Sequence, residues 1–208
     1  MDWRISMGKK KKKKKGEEKI EQISEETEPK EDAPYLLSLY GKIDEEECAE
    51  IVHTLYGQKL ACVAGIRELK PIKFLISTHG GDAVEMFSVY DTMKHVQKTY
   101  PIHTIGVGKI MSAGTLLLAA GKKGKRKIAT NCRLMIHNVK GAPPYPECYD
   151  ILKTEIKEIE WFQERYIACL AEETHLCEED IREVLESKQN VYLDAKEAVK
   201  CGFADKII

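Results

Sequence analysis

The sequence predicts an α/β domain with mainly parallel strands. Short, apolar, β-rich runs alternate with stretches of helical periodicity from Pro34 onward, the strand runs break at glycines, and no internal repeat is visible. Alternation of this kind builds parallel sheets, because each helix carries the chain back to the end of the sheet where the next strand starts.

The elements follow in order. Tyr35 to Gly41 reads as a short strand ending in a turn. Ile43-Asp44 leads into a helix reaching about Tyr56, with Asp44 as the N-cap and Glu47 three residues later. Ile72 to Ser77 is a buried strand that stops at Gly80-Gly81, and a helix carrying Val84, Phe87, Val89, Tyr90 and Met93 follows. Ile102 to Val107 is a second buried strand, stopped by Gly108. Ser112 to Ala120 is small and apolar, as a buried helix requires. Lys127 to Ala129 and Arg133 to Ile136 are short strands. Asp150 to about Glu173 is a long helix with Ile151, Ile156, Ile159, Phe162, Ile167 and Leu170 on its apolar side.

Residues 1–33 stand apart from this domain, which spans 34–208. An unbroken basic run, Lys9 to Lys15, precedes an acidic stretch, giving ten basic and nine acidic residues up to Ala33. So few apolar side chains cannot offset the entropy of ordering, so a disordered charged tail is expected. It reads as a solvated tail or processed leader; contact of the lysine run with nucleic acid or an anionic surface is the alternative.

Composition excludes several classes. The 208-residue chain has a net charge of −1, so nothing draws it as a whole toward nucleic acid or membrane. No apolar run approaches the ~18 residues of a membrane span, and no apolar core of a secretory signal follows the N-terminus. The seven cysteines show no CxxC spacing. They read as reduced thiols in a cytosol-like compartment, and a cytoplasmic location is expected. No metal or other cofactor is expected.

Three features carry chemistry. Gly80-Gly81 follows a buried strand, and paired glycines let a backbone approach a ligand and aim N–H groups at it. Ser112 lies between a strand end and a helix start, where its hydroxyl can stand above the sheet and the Ala113 N–H can face an oxyanion; a plain helix N-cap is the structural alternative. His137 ends the apolar strand that runs through Met135-Ile136. Together they supply a nucleophile, a base and oxyanion donors.

The order Gly80-Gly81, then Met111-Ser112-Ala113-Gly114, then Met135-Ile136-His137 resembles the Clp protease proteolytic subunit (ClpP) family of serine peptidases. That family carries S-P-G-G, M-A-A-S-M-G and M-I-H-Q in this order. The 25-residue separation of Ser112 and His137 is also the family's. Tyr40-Gly41-Lys42-Ile43-Asp44 resembles the family's early G-x-I-D turn. Tyr90-Asp91-Thr92-Met93 resembles its Y-D-T-M helix, and Leu118-Ala119-Ala120-Gly121 its L-A-A-G. Tyr192 to Ala198 and Gly202-Phe203-Ala204-Asp205 resemble its C-terminal motifs. The likeness covers about residues 35–208.

The resemblance implies a ClpP/crotonase-type fold, a stacked β-α-β superhelix with a protruding handle helix, here the helix from Asp150. It implies a serine endopeptidase that cleaves unfolded polypeptides by acyl transfer. Ser112 would be the nucleophile and His137 the base. The Gly81 and Ala113 N–H groups would form the oxyanion hole, and Gly80, Gly81, Asp82, Ala83 and Val84 the peptide-binding edge. It further implies self-association into two stacked seven-membered rings and a partner unfoldase ATPase of the AAA+ type, since no Walker A loop is present here.

Departures from the family pattern matter. The proline of S-P-G-G is His79 here, read as a rim residue. The family's triad aspartate falls on Asn190. Asp194 with Glu197 forms a capping box and is read as structural, and Glu186 is a remote substitute. Asparagine can accept the imidazole Nδ1–H bond but cannot stabilise the imidazolium by charge. In a trypsin-like triad the Asp→Asn change costs about 10⁴ in kcat, yet papain-like enzymes run on Cys-His-Asn. Gly141-Ala142-Pro143-Pro144 replaces the family's glycine-rich strand, and its prolines argue against a long ladder. The alternatives are a catalytically weak or inactive structural ring subunit, a crotonase-type acyl-CoA enzyme, and a Ser/Lys peptidase.

Overall fold

The computed structural model describes residues 34–140, 149–187 and 189–208. The charged tail and the Gly141–Pro144 stretch lie outside the described residues. The chain runs β1 (Tyr35–Ile43), α1 (Glu45–Val63), β2 (Ile72–Gly81), α2 (Ala83–Val96), β3 (Ile102–Met111) and α3 (Gly114–Ala119). It continues with β4 (Lys127–Ile128), β5 (Arg133–Ile136), α4 (Tyr149–Glu173), α5 (Glu178–Glu186), β6 (Val191–Leu193), α6 (Ala195–Lys200) and β7 (Lys206–Ile207).

The main sheet has the order β1-β2-β3-β4-β7, and every neighbouring pair in it is parallel. β3 pairs with two further strands along its length. Ile105 and Gly106 pair with β4, whereas Lys109 to Met111 pair with β5, which in turn takes β6 as an antiparallel partner. The far end of β3 therefore carries the site, with Ser112 directly after it.

β2 ends on Gly80-Gly81, as the sequence suggests, whereas β3 runs past Gly108 to Met111. Gly80 and Gly108 adopt φ of 91° and 63°, which bends each strand, and β3 resumes beyond its bend. Thr78 stabilises the bend in β2, since its hydroxyl donates to the Gly41 carbonyl at 2.7 Å and accepts from the Gly80 N–H at 3.0 Å.

Helix α1 runs beyond Tyr56 to Val63, because Gly57 costs a helix interior only about 1 kcal/mol. Asp44 caps it as expected, accepting from the Glu47 N–H at 3.3 Å. The core joins Leu39, Ile43, Phe74, Ile76 and Ile102 of the strands to Leu55 of α1, Met93 of α2, Leu116 of α3 and Leu170 of α4. All six residues of α3 are buried. Only the last turns of α4 join this core, through Tyr166, Ile167, Cys169 and Leu170. Ile151 and Ile156, expected on an apolar packing face, are 45% and 55% exposed and contribute nothing to the core of this chain.

The C-terminal end of α4 is pinned by cations, as its dipole favours. Arg126, 2% exposed, donates to the Glu173 carbonyl at 2.7 Å and pairs with both Asp205 carboxylate oxygens, at 2.6 and 3.0 Å. The Glu173 carboxylate pairs with Lys94 at 2.5 Å and Lys123 at 3.0 Å. Burial pushes this carboxyl up, but the two ammonium groups outweigh that and hold it below its usual range.

Candidate active site

Ser112 is the one non-glycine residue with positive φ among the described residues, at 53°. A left-handed conformation costs an ordinary residue about 1–2 kcal/mol and persists only where the surroundings over-determine it. Here they do. The Ser112 N–H donates to the Met135 carbonyl of β5 at 2.8 Å, and the Ser112 carbonyl accepts from the Thr115 N–H at 3.0 Å. Thr115 Oγ1 lies 2.7 Å and Tyr166 OH 3.1 Å from the same carbonyl. The side-chain hydroxyl makes no hydrogen bond among the described residues. Ser112 is therefore not an N-cap: Ala113 holds that position on α3 and makes no side-chain cap bond.

Both glycines of the pair are needed for packing as much as for ligand approach. A Cβ on Gly80 would lie 2.6 Å from the Ser112 Cβ, and one on Gly81 would lie 2.0 Å from the Ile43 carbonyl oxygen. Gly80 thus lets β2 pass directly beneath the serine turn. Asp82 then caps α2, accepting from the Val84 N–H at 2.7 Å and the Glu85 N–H at 3.3 Å.

His137 follows β5 and is partly buried. Burial, and secondarily the Lys140 ammonium, hold its pKa below the ordinary 6.5, so the ring is neutral at neutral pH and ready to accept a proton. Its Nδ1 is buried without a hydrogen-bond partner among the described residues.

A cavity of about 430 Å³ brings Ser112, Ala113 and His137 together with Gly81, Asp82, Ala83 and Val84. Of the expected site residues, two fall outside its lining. Gly80 packs against Ser112 from behind. Asn190 is exposed and makes no hydrogen bond to His137. The β5–β6 ladder nevertheless ends with Ile136 opposite Val191, so His137 and Asn190 are the next residues in register. His79 is exposed on β2 and is not part of the cavity lining, so it does not stand at the site's rim as expected. Asp194 forms the capping box of α6, accepting from Lys196 and Glu197 N–H groups.

Sequence reasoning missed part of the lining. Ile159, Phe162 and Tyr166 of α4 form one wall, and Lys42 and Lys140 stand at the cavity as well. Ile159 and Phe162 belong to the expected apolar side of α4, and Tyr166 lies four residues from both Phe162 and Leu170 of that stripe, so the helical spacing was available to find it.

Among the described residues no cluster of three or more His, Cys, Asp or Glu could hold a metal ion. No helix there is long and apolar enough to cross a membrane. Acyl transfer by serine is the chemistry that this set of groups can perform.

The sequence matches the profile described as Clp protease over residues 35–208. It is 35% identical over 139 residues to ATP-dependent Clp protease proteolytic subunit 2 of Prochlorococcus marinus (strain NATL2A), covering 67% of each chain. It is 31% identical over 137 residues to the ATP-dependent Clp protease proteolytic subunit of Deinococcus radiodurans, covering 66% of this chain and 64% of the relative.

Proposed function

The chain belongs to the Clp protease family of serine-type peptidases, and from that premise we propose that it is the proteolytic subunit of a self-compartmentalised assembly that cleaves unfolded polypeptides. The observation that carries this reading is the left-handed Ser112, with its hydroxyl unengaged, in one cavity with a neutral His137.

In this mechanism His137 Nε2 takes the Ser112 Oγ proton as Oγ attacks the scissile carbonyl carbon. The Gly81 and Ala113 N–H groups hold the oxyanion that forms. Imidazolium then gives its proton to the leaving amine, and water, deprotonated by the same ring, releases the acyl group. Asn190, next in register to His137, is the residue to accept the Nδ1–H bond. The expected peptide edge is cut short, because β2 ends at Gly81 and Asp82 to Val84 cap and open α2; the peptide meets Gly81 and that first helical turn at the cavity, not a continuous strand over Gly80 to Val84.

Assembly into stacked rings is supported by the apolar residues that α4 leaves uncovered, Ile151, Ile156 and Trp161. Unfolding would be the task of a partner ATPase; the Prochlorococcus relative is named as a subunit of an ATP-dependent protease. Placement in the cytoplasm and a separate tail over residues 1–33 belong to the same reading.

The unpaired His137 Nδ1 favours a second reading, a ring subunit without catalytic turnover. Hydrolysis of a short fluorogenic peptide by wild type and Ser112→Ala separates the two. Turnover confined to the wild type supports the peptidase, and equal, background rates in both support the structural subunit.

A further inference from the structure

We propose that Tyr166, reaching in from α4, is a positioning residue that fixes the plane of the Ser112–Ala113 peptide and so aims the Ala113 N–H at the oxyanion site. The inference rests on the reading of Ser112 as nucleophile and deepens it.

The geometry starts at one carbonyl. The Ser112 C=O and the Ala113 N–H belong to the same peptide group, which is planar and trans, so they point in opposite directions. Holding the oxygen on one side therefore sets where the N–H points on the other. Thr115 Oγ1 lies 2.7 Å and Tyr166 OH 3.1 Å from that oxygen, and the two hydroxyls are 2.6 Å from each other. These three contacts share two hydroxyl protons. Either both hydroxyls donate to the carbonyl, or one donates to the other, which in turn donates to the carbonyl. Every arrangement ends on the Ser112 oxygen and engages the tyrosine hydroxyl.

The surroundings suit a rigid clamp. Thr115 is fully buried and Tyr166 is 4% exposed. Burial pushes the Tyr166 phenol up to about 12, although its bond with Thr115 acts in the opposite sense, so the hydroxyl keeps its proton across the working pH range. The Ala113 N–H makes no hydrogen bond among the described residues, as a donor awaiting an oxyanion should. An uncompensated left-handed Ser112 would relax by rotating this peptide, which is the motion that the clamp opposes. Because Tyr166 sits on the same face of α4 as Ile159 and Phe162, the helix that forms the cavity wall also sets the oxyanion donor.

The test is Tyr166→Phe, which deletes one oxygen and keeps the ring. With wild type hydrolysing a short peptide, kcat should fall about 10- to 100-fold, short of the 10²–10³ lost when an oxyanion donor is removed outright. KM should stay within about twofold, since the clamp acts on the transition state. Thr115→Val should reproduce the loss, and Thr115→Ser, which keeps the hydroxyl, should restore most of it. Equal loss in Thr115→Ser and Thr115→Val, or an unchanged kcat in Tyr166→Phe, overturns the proposal. If wild type itself has no Ser112-dependent activity, the peptidase reading fails on its own. Crystal structures of wild type and Tyr166→Phe then decide the clamp separately: a rotated Ser112–Ala113 peptide supports it, and an unchanged plane overturns it.

Discussion

The Ser112 N–H donates to the Met135 carbonyl at 2.8 Å, which ties the serine turn to the strand that delivers His137 two residues later. Nucleophile and base come from elements well apart in sequence, and this bond sets their relative height above the sheet. On the opposite side of Ser112, Gly80 of β2 packs in contact with it. The serine is thus held between two strands and the last turns of α4.

That packing makes Gly80 intolerant of a side chain. Gly80→Ala would put a methyl group 2.6 Å from the Ser112 Cβ at a φ of 91°. The left-handed backbone costs about 1–2 kcal/mol and overpacking another 1–3. Urea denaturation should show a loss of about 2–5 kcal/mol, with peptide turnover falling by more than stability alone explains. Wild-type stability and turnover would contradict the placement of Gly80 beneath the serine.

The depressed pKa of His137 sets the acid limb of activity. The base form is lost as pH falls through a value below the ordinary 6.5, so kcat/KM should hold its plateau to below that pH. Lys140→Met removes the secondary, like-charge cause and should move the limb upward, leaving the burial contribution in place. A pH profile of kcat/KM for the two proteins checks both the position and the sign of the shift.

Much of this was legible from the sequence, and the rest was hidden for physical reasons. The parallel α/β order, the Asp44 cap and the Asp194–Glu197 capping box follow from local chemistry and appear as expected. The end of β3 did not follow, because Gly108 can either end a strand or bend it, and only pairing with β5 decides which. Likewise, Ile151 and Ile156 look like core residues by spacing, although α4 extends past the body that would cover them. Ser112 and His137 were marked by motif, and the cavity joins them. The Tyr166 clamp depends on a contact between residues 54 apart in sequence, which no local pattern reveals.

Arg126 closes the C-terminal part of the fold. Arg126→Met would strip Asp205 of its guanidinium, remove the side-chain donor to the Ala119 carbonyl, and leave the Glu173 carbonyl to Lys123 alone among side chains. A loss of about 3–5 kcal/mol is expected from breaking such a pair on one side. Burial raises the Asp205 carboxyl, yet the Arg126 contacts dominate and hold it below the ordinary 3.8. A depressed carboxyl adds stability above its unfolded pKa and loses it as pH falls through the folded one. Wild-type stability should therefore drop in acid below about pH 4, and Arg126→Met should show a shallower drop there by chemical denaturation.

Asn190 bears on how strong the catalyst is. Asn190→Asp would place a carboxylate next in register to His137, whose Nδ1 is unpaired among the described residues; the carboxylate is expected to bond Nδ1–H and stabilise the imidazolium. Turnover of a small peptide should rise by about 10- to 10⁴-fold, given the cost of the reverse change in a trypsin-like triad. KM should move little. The gain should vanish in the double variant with His137→Ala. A folded Asn190→Asp protein with unchanged kcat would show that Asn190 does not serve the imidazole.

The most direct test of the account is covalent labelling by a fluorophosphonate, followed by peptide mapping of the adduct. The probe reports an activated serine hydroxyl and requires neither an ATPase nor a natural substrate. The account predicts a single adduct on Ser112, lost in Ser112→Ala and strongly slowed in His137→Ala while both variants stay folded. An adduct that persists in Ser112→Ala, or a folded wild type that takes up no probe at all, would contradict it.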